Sequence, residues 1–218
     1  YPPHFIQVST ADEAFKILRE DKIDLVISML DLGNLDVFEF AKQIKSKYPN
    51  KPIVVLTPFS REVTMKMDTG DMSSIDYVFC WLGNADIMLA IIKLIEDKMN
   101  VDHDVNEVGV QSLLLVEDSI RLYSSYLPNL YKLIFKQSLS FMTEGLNEHQ
   151  KMLRMRGRPK ILMATNYEEA IELYEKYRNN LLGIISDIRF KAYGVMNKNA
   201  GFRFCEIVRN SDPDLPFL

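Results

Sequence analysis

The feature that most constrains this chain is an alternation, run through twice, of short apolar segments with longer segments of helical period. Phe5–Val8, Asp24–Ser28, Pro52–Thr57 and Ile75–Phe79 are brief β-branched or aromatic runs bounded by polar residues, the pattern of buried strands. Between them lie Ala11–Glu20, Val37–Lys47, Ser60–Thr69 and Ala85–Met99. Phe38, Ala41 and Ile44 show the i, i+3, i+6 recurrence of one helix face. Strands that alternate with helices across short connections form parallel sheets covered by helices. The expected fold class is therefore α/β, with doubly wound parallel sheets.

The pattern breaks at residues 101–110 (VDHDVNEVGV), which are polar and aperiodic and read as a linker between domains at 1–100 and 111–218. It then restarts. Ser112–Val116, Lys160–Ala164 and Leu181–Ser186 read as strands, Tyr167–Tyr177 and Ala200–Arg209 as helices, and Leu215–Leu218 as the start of one more strand. Ser119 is placed to cap the helix that follows the first of these strands. Thr165 or Asn166 is placed to cap the helix Tyr167–Tyr177, and Asn166, with Glu169 three residues later, has the spacing of a capping box. The repeated pattern implies an internal duplication.

One interval does not fit a plain repeat. From Ser119 to Pro159, helical periodicity recurs at Tyr123, Leu127, Leu130, Ile134, Phe141, Leu146 and Leu153. A single helix over the segment 119–158 would be about 60 Å long, against about 17 Å for a five-residue strand. Two forms are open: a helix–turn–helix folded on itself near Gly145 and Asn147, or a projecting helix that buries its surplus apolar face on another domain or a second copy. Pro128 implies a bend. Tyr123, Tyr126 and Tyr131 read as packing residues.

Charge and composition exclude several classes. The net charge is −4, and neither half carries the basic excess of a nucleic-acid domain. The local run Lys151, Arg154, Arg156, Arg158, Lys160 reads as a solvated helix end. No apolar run is long enough to span a membrane, the first residues are not a signal peptide, and a cytoplasmic location is expected. The two cysteines, Cys80 and Cys205, sit in apolar patterns and read as buried, inert thiols. His149 reads as a surface residue. Trp81 reads as closing the core of the first unit.

The residues with chemical potential are acidic and follow strands. Glu117–Asp118 ends the run LLLV, and Asp187 ends LLGIIS. Carboxyl ends of parallel strands face one crevice, so neighbouring strands would bring these three carboxylates together. Like charges in one cleft repel and call for a cation. An all-oxygen set without His or Cys favours a hard ion such as Mg²⁺. Such an ion can neutralise a phosphoryl group while a carboxylate attacks it.

With these residues in view, QSLLLVEDS and GIISDIRF resemble the first and third strands of receiver domains of two-component response regulators. The resemblance implies a flavodoxin-like fold with Asp187 as phosphoacceptor. It also implies Mg²⁺ held by Glu117, Asp118, Asp187 and the backbone carbonyl of Arg189. AGFRFCEIVRNSDPDLPFL resembles the next helix and the start of the fourth strand. The first unit resembles the same family without its chemistry. DLVISML places Met29 at the phosphoacceptor position, and PIVVLT keeps Thr57 at the hydroxyl position. IDYVFCW keeps Tyr77 at the switch-aromatic position and puts Cys80 in place of the family's Lys. A thioether accepts no phosphoryl group and a neutral thiol pairs with none, so this unit reads as a pseudo-receiver. Asp31 lies two residues too late to substitute.

Set against that family, the first unit lacks an opening strand and helix, and the second lacks the end of strand four, strand five and the last helix. The family's Thr/Ser and Lys would fall beyond Leu218. The expectation is a piece of a longer chain. LLVEDSIRLYSSYLPNLYKLIFKQS and NEHQKMLRMRGRPKILMATNYEEAIELYEKYRNNLLGIISDIRF resemble the N-terminal region of bacterial phosphoenolpyruvate synthase-like proteins, where tandem receiver-like domains precede pyruvate/phosphate-dikinase-type domains. None of that catalytic machinery is present: there is no Gly-rich nucleotide loop, and His4, His103 and His149 lie in no phosphohistidine context. The expected role is a signalling module rather than an enzyme. Its expected partners are a sensor histidine kinase or small phosphodonor and an attached or partner catalytic domain, with no nucleic acid and no membrane. The alternative is a phosphorylation-independent scaffold of two pseudo-receivers that dimerises through the long helix.

Overall fold

Helix starts in this chain are written locally. Thr10 accepts the amide of Glu13 (3.2 Å) while the Glu13 carboxylate accepts the Thr10 amide, a full capping box that opens α1 (Ala11–Glu20). Asp36 caps α2 (Val37–Lys47) through the Phe38 amide. The computed structural model describes residues 3–30, 32, 33, 35–58, 70–140 and 157–218. The expected helix Ser60–Thr69, Asp31, His149, Gly145, Asn147 and the basic residues Lys151, Arg154 and Arg156 lie outside the described residues.

The chain forms two compact units, Tyr1–Asn84 and Ala85–Leu218. In the first, β1 (Val26–Met29), β2 (Ile53–Pro58) and β3 (Tyr77–Trp81) form a parallel sheet in the order β1-β2-β3. Its central strand is buried from Ile53 to Thr57, the mark of a strand covered on both faces. Val37, Phe40, Ala41 and Ile44 are the buried stripe of α2. Phe5–Val8, expected as a strand, is exposed and forms no regular element. Apolar residues make a strand only where a neighbour completes the ladder, and no described strand lies beside this segment. Trp81, expected in the core, is 42% exposed at the end of β3.

The second unit begins at Ala85, sixteen residues before the expected linker. Helix α3 (Asp86–Val101) packs on α4 (Ile120–Ser140) and on β5 (Lys160–Ala164). Residues 102–107 are a wide helical turn that continues α3, and Val105 joins the second unit's core. The linker reading failed because polar exposed residues can still be helical when one side chain per turn is buried. β4 (Ser112–Val116) sits between β5 and β6 (Leu181–Ser186), all parallel, in the order β5-β4-β6. Beside β6 the Ile184 amide donates to the Pro216 carbonyl and the Leu218 amide to the Ile184 carbonyl, so the expected further strand does begin there. The chain is thus a mixed α/β protein built on parallel sheets. Order reverses at β4, the kind of switch point where ligands bind in open α/β sheets.

Helix α5 (Tyr167–Tyr177) has Asn166 as its N-cap, accepting the Glu169 amide at 2.9 Å. The returning Glu169 carboxylate reaches one residue further back than a regular box, to the amide and hydroxyl of Thr165. Helix α6 (Ala200–Ser211) buries Ala200, Gly201, Phe204 and Val208. Side chains of α5 and α6 meet Leu114, Val116, Leu162, Ala164 and Ile184 in one core. Helix α4 runs unbroken through Pro128, and the buried stripe Tyr123, Ser124, Leu127, Pro128, Tyr131 is one helix face. Tyr126 is exposed instead, on the opposite face.

A hairpin that was not among the expected elements lies between β6 and α6. It pairs β7 (Phe190–Ala192) with β8 (Val195–Asn197) in antiparallel register. Its two-residue turn, Tyr193–Gly194, has φ of 53° and 76°, the left-handed pair that a twisted two-residue hairpin requires.

Candidate metal centre

The site is built on two neighbouring strand ends. β4 delivers Glu117 and Asp118, and β6, paired to it in register through Val116 and Ser186, delivers Asp187. The Asp187 amide donates to the Val116 carbonyl (2.9 Å) and the Glu117 amide to the Ala164 carbonyl (3.0 Å), so the strand hydrogen bonding extends into the site itself. Carboxylate oxygens of Glu117, Asp118 and Asp187 all lie within 4.8 Å of one another. Among the described residues this is the one group of three potential metal ligands.

Burial makes that proximity costly. At this separation and an effective dielectric of 20, two ionised carboxylates repel by about 3 kcal/mol. Glu117 is only 4% exposed. Its burial pushes its pKa up, the Ser119 amide (3.0 Å) opposes, and the charges of Asp187 and Asp118 push it further. Asp118 is also raised, by burial first, against the Lys191 amide and with the charge of Asp187 adding to the rise. Among the described residues their donors are main-chain amides, those of Ser119, Ile188 and Lys191. Three hard oxygen donors with no His or Cys suit a cation such as Mg²⁺.

Two unexpected residues shape the site. The Lys191 amide, in the hairpin, donates to Asp118 Oδ2 at 3.2 Å. Gly201 lets the start of α6 approach the turn after β6, because a Cβ there would lie 2.3 Å from the Asp187 carbonyl oxygen. Arg189 is exposed in the same turn as Asp187, two residues on. The hairpin did leave a trace in the sequence: Gly194 between FKA and VMN is the residue a two-residue turn uses. The partner of Asp118 left none, since a backbone N–H has no residue signature.

The corresponding edge of the first sheet is chemically different. Met29 ends β1 and is 51% exposed. Thr57 and Cys80 are register partners, both buried, and the Thr57 hydroxyl donates to the Pro58 carbonyl. Tyr77 is half-buried at the opposite end of β3. None of these four residues carries a charge. Cys205, expected to be buried, is half-exposed and lines a cleft with Asp187, Ile188, Phe202 and Phe217.

A second cluster of ionic groups was hidden in the sequence by assigning Arg158 and Lys160 to a solvated helix end. Both are buried. Asp97, also buried, accepts from Arg158 Nη2 (2.6 Å) and Nη1 (3.1 Å), the Tyr131 hydroxyl (2.9 Å) and the Ile161 amide (3.0 Å). Lys160 pairs with Asp104 at 2.7 Å. Burial works against the Arg158 charge, but Asp97 beside it holds the guanidinium above its ordinary pKa. An acid on the apolar face of a helix is the signal that would have found this: Asp97 shares a face with Leu94 and Val101, whereas Asp86 and Glu96 lie off it.

No protein-family model and no curated protein matches the chain. No helix among the described residues is long and apolar enough to cross a membrane.

Proposed function

We propose that the second unit is a flavodoxin-like phosphoacceptor module of the receiver type, and the first a related unit that cannot be phosphorylated. The observation that supports this most is the convergence of Glu117, Asp118 and Asp187 at the ends of two adjacent parallel strands, where the strand order reverses. Mg²⁺ bound by these carboxylates and the Arg189 carbonyl would supply the positive charge that lets an anionic nucleophile meet an anionic phosphoryl group. A carboxylate oxygen of Asp187 then attacks phosphorus, the bond to the donor's leaving group breaks, and that group leaves with the electron pair and takes a proton from water. The product is an acyl phosphate on Asp187, and the added charge biases the surface around the β6–α6 connection. On this reading a sensor histidine kinase or a small phosphodonor supplies the phosphoryl group in the cytoplasm. The output is an attached or partner catalytic domain of the phosphoenolpyruvate synthase type. Met29 and Cys80 remove the acceptor and the cation from the first unit.

Incubating the protein with Mg²⁺ and acetyl phosphate tests this. A single phosphoryl adduct by intact mass, absent in Asp187→Asn, is expected. A folded protein that gains no adduct would sink the assignment.

A scaffold reading has one observation in its favour. Leu122, Tyr126 and Leu133 form an exposed apolar line on α4, opposite its buried face. A dimer that persists in Asp187→Asn and is lost in Leu133→Glu would support it.

A further inference from the structure

We propose that the hairpin Phe190–Asn197 is a positioning element for the metal centre: the main-chain N–H of Lys191 holds Asp118 in the orientation in which it binds a divalent cation. This rests on the reading of the three carboxylates as a Mg²⁺ site and names what aims one of them.

The hairpin's geometry makes this donor available. In an antiparallel pair, residues next to a two-residue turn exchange both hydrogen bonds, and the following pair exchanges none. Ala192 and Val195 flank Tyr193–Gly194, so the next pair, Lys191 with Met196, leaves its amides pointing away from the ladder. The Lys191 amide points to Asp118 Oδ2. The hairpin is fixed for this task at both ends. Phe190 is fully buried and stacks on Tyr167, with ring centres 6.4 Å apart. At the turn, the Tyr193 amide donates to Glu168 Oε1 at 2.6 Å, although the Tyr193 side chain itself is 82% exposed.

The chemistry requires such a support. A carboxylate ligand works at full affinity when an outer partner fixes its orientation and keeps it ionised, and losing that partner typically costs 10–100-fold in metal affinity. The Lys191 N–H carries no titrating proton and cannot compete for the cation. Coupling between two sites is reciprocal, so a cation on Asp118 must in turn steady the hairpin.

The test separates the backbone donor from the side chain. Lys191→Pro removes the N–H without taking a bond from the β7–β8 ladder, although it also touches the isolated parallel bridge from Lys191 to Asn166, and Lys191→Ala keeps the N–H. By titration calorimetry, Lys191→Pro is expected to bind Mg²⁺ about tenfold or more weakly, while Lys191→Ala stays close to the parent. In the parent and in Lys191→Ala, the amide resonance of residue 191 is expected to move on Mg²⁺ addition and its hydrogen exchange to slow. Glu168→Ala covers the case in which the proline variant does not fold. It frees the turn far from the carboxylates and is expected to speed exchange across 190–197 and weaken Mg²⁺ binding by roughly threefold, a partial loss of the same support. Equal Mg²⁺ affinity in the parent, Glu168→Ala and a folded Lys191→Pro would overturn the inference and leave the metal centre standing. Absence of Mg²⁺ binding in the parent would overturn both.

Discussion

The second unit holds two groups of carboxylates that solve burial in opposite ways. Asp97 is fully buried and balanced: two guanidinium nitrogens, a tyrosine hydroxyl and a backbone amide converge on it, with Lys160 3.9 Å away. Glu117, Asp118 and Asp187 lie close together with no cationic side chain among the described residues bonded to them; the amides of Ser119, Lys191 and Ile188 donate to them. The first arrangement is complete and joins α3, α4 and β5. The second gathers three carboxylates against main-chain donors, which on the proposed reading is where a cation would bind. Ionic groups in a fold are informative less by their number than by whether their charges close.

The largest test of this contrast is Arg158→Ala. Removing one partner of a buried ion pair leaves an uncompensated charge and costs about 3–5 kcal/mol. Urea unfolding of the second unit should show a loss of that size; a loss under 1 kcal/mol would mean the Asp97 cluster does not hold the fold together. Next is Gly201→Ala. Its Cβ meets main-chain atoms of Asp187 and Ile188, which cannot swing away, and overpacking of this kind costs about 1–3 kcal/mol. Mg²⁺ affinity should fall with it, since the Asp187 turn must shift.

Smaller, and opposite in sign, is Glu117→Gln. Without divalent cations it should stabilise the protein by on the order of 1 kcal/mol, because it relieves repulsion and keeps the acceptor for the Ser119 amide. With saturating Mg²⁺ the order should reverse. A variant less stable than its parent in both conditions would remove the case for an unbalanced cluster.

The pH dependence sharpens the comparison further. Glu117 and Asp118 titrate higher in the folded state than unfolded, so the folded chain binds their protons more tightly. Their contribution to stability is therefore present at low pH and is lost as pH rises from about 4, the unfolded value, through the raised folded values. Asp104 behaves oppositely. Burial works against its charge, but Lys160 and His103 hold its pKa below the ordinary value. Its contribution is present above the unfolded pKa and lost as pH falls through the folded one. Following the urea midpoint between pH 3 and pH 7, the Asp118→Asn protein should lose less stability on going from acid to neutral than its parent does. Parallel curves would contradict the assigned shifts.

The two sheets give the same lesson in another form. Both carry parallel strands whose carboxyl ends were placed from short apolar runs alone, and β1 to β6 appear where those runs lie. Glu117, Asp118 and Asp187 were legible because residues directly after strands inherit the strand's position. Phe5–Val8 was misread because pairing is a property of two segments, and its composition says nothing of a neighbour. Arg158 and Lys160 were misread because a basic run looks the same whether it faces water or a buried aspartate.

By itself, the sequence determined the alternation of elements, the parallel sheets that alternation demands, the helix caps at Thr10, Asp36 and Asn166, and the placing of three acids after two strands. These follow from local periodicity and from hydrogen bonds between near neighbours. Only the tertiary structure decided that α3 belongs with the second unit, that Asp97 closes on Arg158, that Gly201 must lack a side chain, and that a backbone N–H from a hairpin supports Asp118. Each of these depends on groups brought together from distant parts of the chain. The energy of such contacts lies in desolvation and geometry, which residue identity along one segment does not carry.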